Sequence, residues 1–156
     1  MKESTVREQL LQLLSGGNAH MSFDQAVKDF PPEAINDKPT NVSYTPWHLL
    51  EHVRIAQWDI LEFIRDPDHV SPDWPSGYWP RNEEEATEES WQQTVGHFHS
   101  DLNSLREIVR DPDTNLTARL PHAPGYTILR EILVVSDHNA YHIGELGILR
   151  QVMGWW

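Results

Sequence analysis

Apolar residues recur every three or four positions in four segments of the chain. The spacing predicts four long amphipathic helices, and no segment alternates apolar and polar residues for long enough to predict a strand. Helices with such faces are typical of a four-helix bundle, so we predict an all-α fold of the up-down-down-up type, as a single domain over residues 1–156. The apolar positions are Val6, Leu10, Leu13 and Leu14; Leu49, Leu50, Val53, Ala56, Ile60, Leu61 and Ile64; Trp91, Val95, Phe98, Leu102, Leu105 and Val109; and Ile128, Leu129, Ile132, Val135, Ile143, Leu146 and Leu149.

Glycine, proline and capping residues predict where the helices begin and end. Gly16 and Gly17 close the first helix. An extra short helix begins at Ser22, with Gln25 completing a capping box, and stops at the prolines of 31–32. By the same signals, the second long helix runs from Thr45 and Pro46 to Asp66, the third from Asn82 and the acidic run 83–85 to Asp111, and the last from Thr127 towards Met153.

A long loop, DPDHVSPDWPSGYWPRN, is predicted between the second and third long helices, at residues 66–82. Its prolines exclude regular structure, and its large aromatic residues predict that it packs onto the body of the protein. Trp74, Tyr78 and Trp79 either form a lid over a functional site or only cover the end of the bundle. A second loop contains Pro121, Pro124 and Gly125.

Composition removes several classes of function. The 156 residues include no cysteine, which excludes disulfides, thiolate metal sites and a cysteine nucleophile. A formal net charge of −12 disfavours binding to nucleic acid or to an anionic membrane. We find no signal peptide and no apolar stretch of the roughly 18 residues that a spanning helix needs, so the expected location is the cytoplasm. A bound metal would need histidine or carboxylate ligands.

Four of the nine histidines form two pairs that are candidate ligands on residue pattern alone, His138 with His142 and His48 with His52. His138 and His142 lie four positions apart on the last helix, so their rings can converge on one ion. His52 lies one turn inside the second long helix, between Leu49 and Ala56, and is expected to face inward. His48, on the first turn of that helix, is expected to face solvent.

The residues Trp47, His52 and Gln57 on one helix, with His138-x-x-x-His142-x-x-Glu145 on the last, resemble the DinB-like superfamily. The likeness extends over most of the chain. It implies a four-helix bundle in which three histidines bind a divalent metal ion, here His52, His138 and His142. It also implies that His48 is not a ligand.

Glu145 departs from the pattern of the family. Many members have H-x-x-x-H-x-G-Q, whereas this chain has glutamate at the last position. Glu145 is a candidate acceptor for an imidazole N–H, a fourth ligand, or a catalytic base that acts on bound water. The alternative is a charge on the helix surface near Arg150.

The resemblance implies a metal-dependent enzyme with an open, three-histidine site for a divalent ion. Neutral imidazole suits zinc, nickel, copper or iron, of which we expect zinc or nickel. Characterised branches are transferases or isomerases that use a small-molecule thiol, and others are described only as metal-dependent hydrolases. Because the chain has no cysteine, any thiol has to come from a cosubstrate. The alternatives are a non-catalytic binding or stress protein with a structural or vestigial metal site, and a bundle whose histidines hold no ion.

The other histidines are expected at the surface. His97 and His99 flank a core position and should point outward, whereas His20, His69 and His122 lie in loops. The terminal Trp155-Trp156 pair either folds back on the bundle or meets a second subunit. Since family members are frequently dimers, we predict a homodimer.

Overall fold

The computed structural model describes residues 3–156 and consists mainly of five α-helices. Their bounds are α1 Glu3–Ser15, α2 Phe23–Val27, α3 Pro46–Arg65, α4 Glu88–Arg110 and α5 Ile128–Met153. Short 3₁₀ turns lie at Pro32–Ala34 and Ser76–Tyr78. The four predicted long helices and the extra short helix are all present.

The four long helices share one hydrophobic core. α3 packs against α4 and α5, and α1 packs against the same two helices. Phe98 of α4 and Leu49 and Leu50 of α3 are almost completely buried in this core. The mostly helical fold is therefore confirmed, whereas the up-down-down-up order of helix directions stays a prediction.

Two predicted helix starts are confirmed in detail. The Ser22 hydroxyl accepts from the Gln25 N–H, and the Gln25 side chain accepts from the Ser22 N–H, which is the predicted capping box. Thr45 caps α3 by accepting from the backbone N–H of His48, with Pro46 at the first helical position. These caps use backbone groups that a helix start leaves without intrahelical partners.

The predicted start of α4 was too early. The helix begins at Glu88 with Thr87 as its cap, not at Asn82. The reason is tertiary: the side chain of Asn36 pairs with both backbone groups of Ala86, at 2.8 and 2.9 Å. Since those groups are occupied by Asn36, Ala86 cannot join the hydrogen-bond ladder of a helix.

The expectation of an all-α fold was also wrong in one place. Arg119–Leu120 (β1) and Ala123–Thr127 (β2) form a small antiparallel hairpin in the region predicted as loop. Two strands this short show no alternation that a sequence pattern reveals. Among residues 3–156, no helix is both long enough and apolar enough to cross a membrane.

Candidate metal centre

α3 and α5 bring three histidines together at the seam between them. His52 is buried on α3, and His138 and His142 are partly buried one turn apart on α5. The Nε2 atom of His52 lies 3.1 Å from that of His138 and 3.2 Å from that of His142. The three residues predicted as ligands therefore form one cluster, and His52 faces inward as expected.

Hydrogen bonds on the far side of two rings determine which nitrogen carries the hydrogen. Nδ1 of His52 lies 2.8 Å from the backbone carbonyl of Tyr78, and Nδ1 of His142 lies 2.7 Å from a carboxylate oxygen of Glu145. Because both partners are acceptors, both Nδ1 atoms are the donors. In the neutral rings, the two Nε2 atoms then present lone pairs towards each other.

This donor set fits a divalent metal ion. Facing lone pairs at 3.2 Å repel each other unless a positive charge lies between them. A proton on Nε2 of His138 can satisfy only one acceptor at a time, whereas a cation between the rings satisfies all three nitrogens. Histidine nitrogens at about 2.0–2.1 Å from a tetrahedral ion lie about 3.3 Å apart, close to the spacing observed here.

Burial keeps the imidazoles of His138 and His52 in the neutral form that binds metals. Burial, together with the neighbouring rings of His142 and His52, lowers the pKa of His138 to about 4. Burial likewise lowers the pKa of His52. Rings that stay neutral near pH 7 need no deprotonation before they coordinate an ion.

Glu145 contacts the cluster from its rim. One carboxylate oxygen accepts from Nδ1 of His142 at 2.7 Å, and the other accepts from the hydroxyl of Tyr44. Arg150, the predicted neighbour of Glu145, instead donates to the carbonyls of Ala26 and Lys28. Of the roles considered for Glu145, these contacts favour the acceptor that orients an imidazole ring.

The loop 66–82 contributes to the site through its last part. The indole of Trp79 stacks on the ring of His52, with 3.9 Å between centroids and 4° between planes. Trp79 also lies against Tyr44, at 5.3 Å, whereas Trp74 is 76% exposed. The aromatic composition of the loop had suggested this position, but no sequence signal pointed to Tyr44.

A buried polar contact joins α3 and α5 beside the cluster. Gln57 is fully buried, accepts from the side-chain amide of Asn139 at 2.9 Å, and donates to the carbonyl of Phe98 at 2.8 Å. Asn139 follows His138 directly on α5. Gln57 therefore fixes the register of the two helices that carry the histidines.

Three other histidines are placed differently from the prediction. His48 is only 4% exposed, because its Nε2 donates to the carbonyl of Glu84 while its Nδ1 faces the Thr45 N–H. Nε2 of His69 bonds to Asp59, and Nε2 of His122 donates to the carbonyl of Phe63. His48 is therefore buried, and His69 and His122 are partly buried.

The remaining histidines also lie outside the cluster. His97 is exposed as expected, and the side chain of His99 is 41% exposed beside Asp24. Nδ1 of His20 contacts the carbonyl of Met21. Within residues 3–156, the only group of three or more potential ligands is the one formed by His52, His138 and His142.

The geometry defines a helical protein with three histidines converging at a helix–helix seam. The family model of the DinB superfamily matches residues 17–146, which include all three histidines and Glu145, and the chain belongs to this superfamily. Neither a curated protein nor a solved structure matches the chain.

Proposed function

We propose that the protein binds a divalent metal ion through His52, His138 and His142. The observation that carries the proposal is the spacing of the three Nε2 atoms, with two lone pairs facing each other at 3.2 Å. Membership of the DinB superfamily supports it. Zinc and nickel are the proposed ions, since neutral imidazole suits both.

We further propose that the protein is a metal-dependent enzyme, acting as a transferase that uses a small-molecule thiol or as a hydrolase. Three protein ligands leave a position for water or a thiol, and a divalent ion supplies a Lewis acid there. The chain contains no cysteine, so the thiol would be a cosubstrate.

Residues around the cluster orient the histidine rings. Glu145 accepts from Nδ1 of His142 and so directs Nε2 of that ring into the cluster, and the Tyr44 hydroxyl holds the other carboxylate oxygen. Trp79 covers one face of the His52 ring. These contacts position the ligands before any ion binds.

Metal analysis tests the binding proposal. Protein purified without a nickel column should contain close to one equivalent of a divalent ion, and the double variant His138→Ala/His142→Ala should contain almost none. His97→Ala is the matched control, because it removes an exposed imidazole from the same bundle. Equal ion content in the double variant and the wild type would show that the ion binds elsewhere.

A thiol panel tests the enzymatic proposal. Glutathione, bacillithiol and mycothiol are each offered with a simple electrophile, and one of them should be consumed only by metal-loaded protein. The double variant without the two α5 histidines serves as the blank. No consumption across the panel would remove the transferase and leave hydrolysis or binding.

A structural metal site is the second candidate, and one observation favours it. The three histidines lie on two different helices, so an ion bound there would cross-link α3 to α5. Thermal melting with and without a chelator separates the candidates. A large loss of stability on chelation, with no coordination position open to solvent ligands, would favour the structural role.

We also propose that the protein forms a homodimer through the outer face of α5. Tyr141, Ile148 and Val152 are 62–71% exposed and spaced seven and four residues apart, which places them on one face. The two terminal tryptophans have different environments: Trp155 packs on Phe30, whereas Trp156 is 64% exposed. This forms an apolar surface that a second copy could cover.

Sedimentation velocity tests the dimer. Wild-type protein should sediment as a dimer and Ile148→Glu as a monomer. Val70→Glu is the control, since Val70 is 84% exposed in the loop 66–82. A wild type that stays monomeric at high concentration would contradict the proposal.

A further inference from the structure

A buried carboxylate on α3 has no role in the site described so far. Asp59 is only 7% exposed, although aspartate is rarely buried without partners. It follows His52 by seven residues, so the two side chains lie on the same face of α3, about two turns or 10 Å apart. Its partners explain its burial.

Both oxygens of Asp59 accept hydrogen bonds from the loop 66–82. Oδ1 lies 2.7 Å from Nε2 of His69, near the start of the loop. Oδ2 accepts from the hydroxyl of Tyr78 at 2.6 Å, near its end. Asp59 on α3 therefore binds both His69 and Tyr78, at opposite ends of a loop that has almost no regular structure.

Tyr78 links this carboxylate to the metal centre. Its hydroxyl donates to Asp59, while its backbone carbonyl accepts from Nδ1 of His52 at 2.8 Å. The next residue, Trp79, stacks on the same imidazole. The side chain of Tyr78 thus spans the two helical turns that separate Asp59 from His52.

We infer that Asp59 is a positioning residue of the three-histidine centre. By holding the hydroxyl of Tyr78, it keeps the Tyr78 carbonyl against Nδ1 of His52. That contact places the hydrogen on Nδ1 and leaves Nε2 free to bind an ion. The effect on metal affinity rests on the proposed function, whereas the effect on the tautomer of His52 does not.

The chemistry of the contact requires a carboxylate. Two donors approach from the loop, and only an ionised carboxylate offers two acceptor oxygens without a donor of its own. Burial and the bond to Asp59 raise the pKa of Tyr78 to about 12, so its hydroxyl stays protonated and donates at neutral pH. Asparagine offers one acceptor oxygen instead of two and places donor hydrogens at the other position, and leucine offers no acceptor.

The first experiment reads the tautomer of His52 in metal-free protein by ¹⁵N NMR of the imidazole nitrogens at pH 7.5. The wild type should show hydrogen on Nδ1. Asp59→Leu and Tyr78→Phe should each shift His52 towards a mixture of the two tautomers. Tyr78→Phe removes a single hydroxyl, so it keeps the test decisive if Asp59→Leu fails to fold.

The second experiment measures cobalt(II) affinity by competition with a chromophoric chelator. Each variant should bind about 3- to 10-fold more weakly, at or below the low end of the range for outer-shell partners of metal ligands. The combined variant Asp59→Leu/Tyr78→Phe should bind cobalt no more weakly than Asp59→Leu alone, because the Tyr78 hydroxyl acts through Asp59.

Thr94→Val is the matched control for both experiments. It removes a 2.8 Å hydrogen bond to Glu51 of α3 that is comparable in length and burial and joins α4 to α3, not to the loop 66–82. Its stability should fall by a similar amount, with the tautomer and the cobalt affinity unchanged. This separates positioning from a general loss of stability.

The results that overturn the inference differ from those that overturn the proposed function. A wild-type tautomer and wild-type cobalt affinity in Asp59→Leu, or in Tyr78→Phe where Asp59→Leu does not fold, would overturn the inference. Wild-type protein that binds cobalt no better than His138→Ala/His142→Ala would overturn the proposed function. In that case the tautomer measurement alone decides the role of Asp59.

Discussion

The two sides of His52 are built in different ways. On one side, α5 presents His138 and His142 four residues apart, so the helix itself determines their separation. On the other side, a loop of irregular backbone supplies the Tyr78 carbonyl and the Trp79 ring. Helical geometry defines the first side, whereas a few contacts with the loop define the second. Substitutions on the loop side should therefore disturb the site more easily and cost the protein less stability.

The largest effect is expected on the helical side. His142→Ala should weaken zinc affinity by at least about 100-fold, because the loss of a ligand costs more than the loss of an outer-shell partner. Isothermal titration with competing chelator measures the affinity. His97→Ala should bind as the wild type does, and a comparable loss there would show that the effect is not local.

The next largest effect is expected at the polar contact between α3 and α5, where a substitution should lower the free energy of unfolding. Gln57→Leu leaves the carbonyl of Phe98 and the amide of Asn139 without their partner, which should cost about 2–4 kcal/mol. Urea denaturation of metal-free protein measures the free energy of unfolding. Gln93→Leu, on the exposed side of α4, is the control and should be almost neutral. A neutral Gln57→Leu would mean that the seam needs no polar contact.

Glu145→Gln should have an intermediate effect. Glutamine still accepts from Nδ1 of His142 but carries no charge, so we expect zinc affinity to fall by about 3- to 10-fold. Glu107→Gln removes a carboxylate that is 71% exposed on α4 and should change nothing. If Glu145→Gln abolishes turnover while affinity is retained, Glu145 acts as a base and not only as an acceptor.

The smallest effect is expected for the stacked ring on the loop side. Trp79→Leu removes an aromatic contact of about 0.5–1.5 kcal/mol, so zinc affinity should fall by about threefold. Val70→Ala is the control from the same loop, since Val70 is 84% exposed. An effect of Trp79→Leu as large as that of His142→Ala would reverse the comparison between the two sides.

Local patterns predicted most of the helices because their signals lie within a few residues. Caps at Ser22 and Thr45 and apolar spacing along α5 depend only on neighbouring positions. The start of α4 was misplaced because Asn36, fifty residues away, holds Ala86 outside the helix. The hairpin at 119–127 was missed because its strands are too short to show a period.

The candidate site likewise combines features that depend on neighbouring residues with features that depend on distant ones. The pair on α5 could be predicted from the residues alone, since a spacing of four places two rings on one helical face. The inward position of His52 could be predicted in the same way, since this residue lies on the apolar stripe of α3.

The groups that surround these rings come from packing between distant parts of the chain. This packing buried His48 against Glu84, brought Tyr44 to Glu145, and placed Tyr78 between Asp59 and His52. The physical reason is that helical periodicity places residues within a few positions of one another. Contacts between a loop and a helix depend instead on how the whole chain packs.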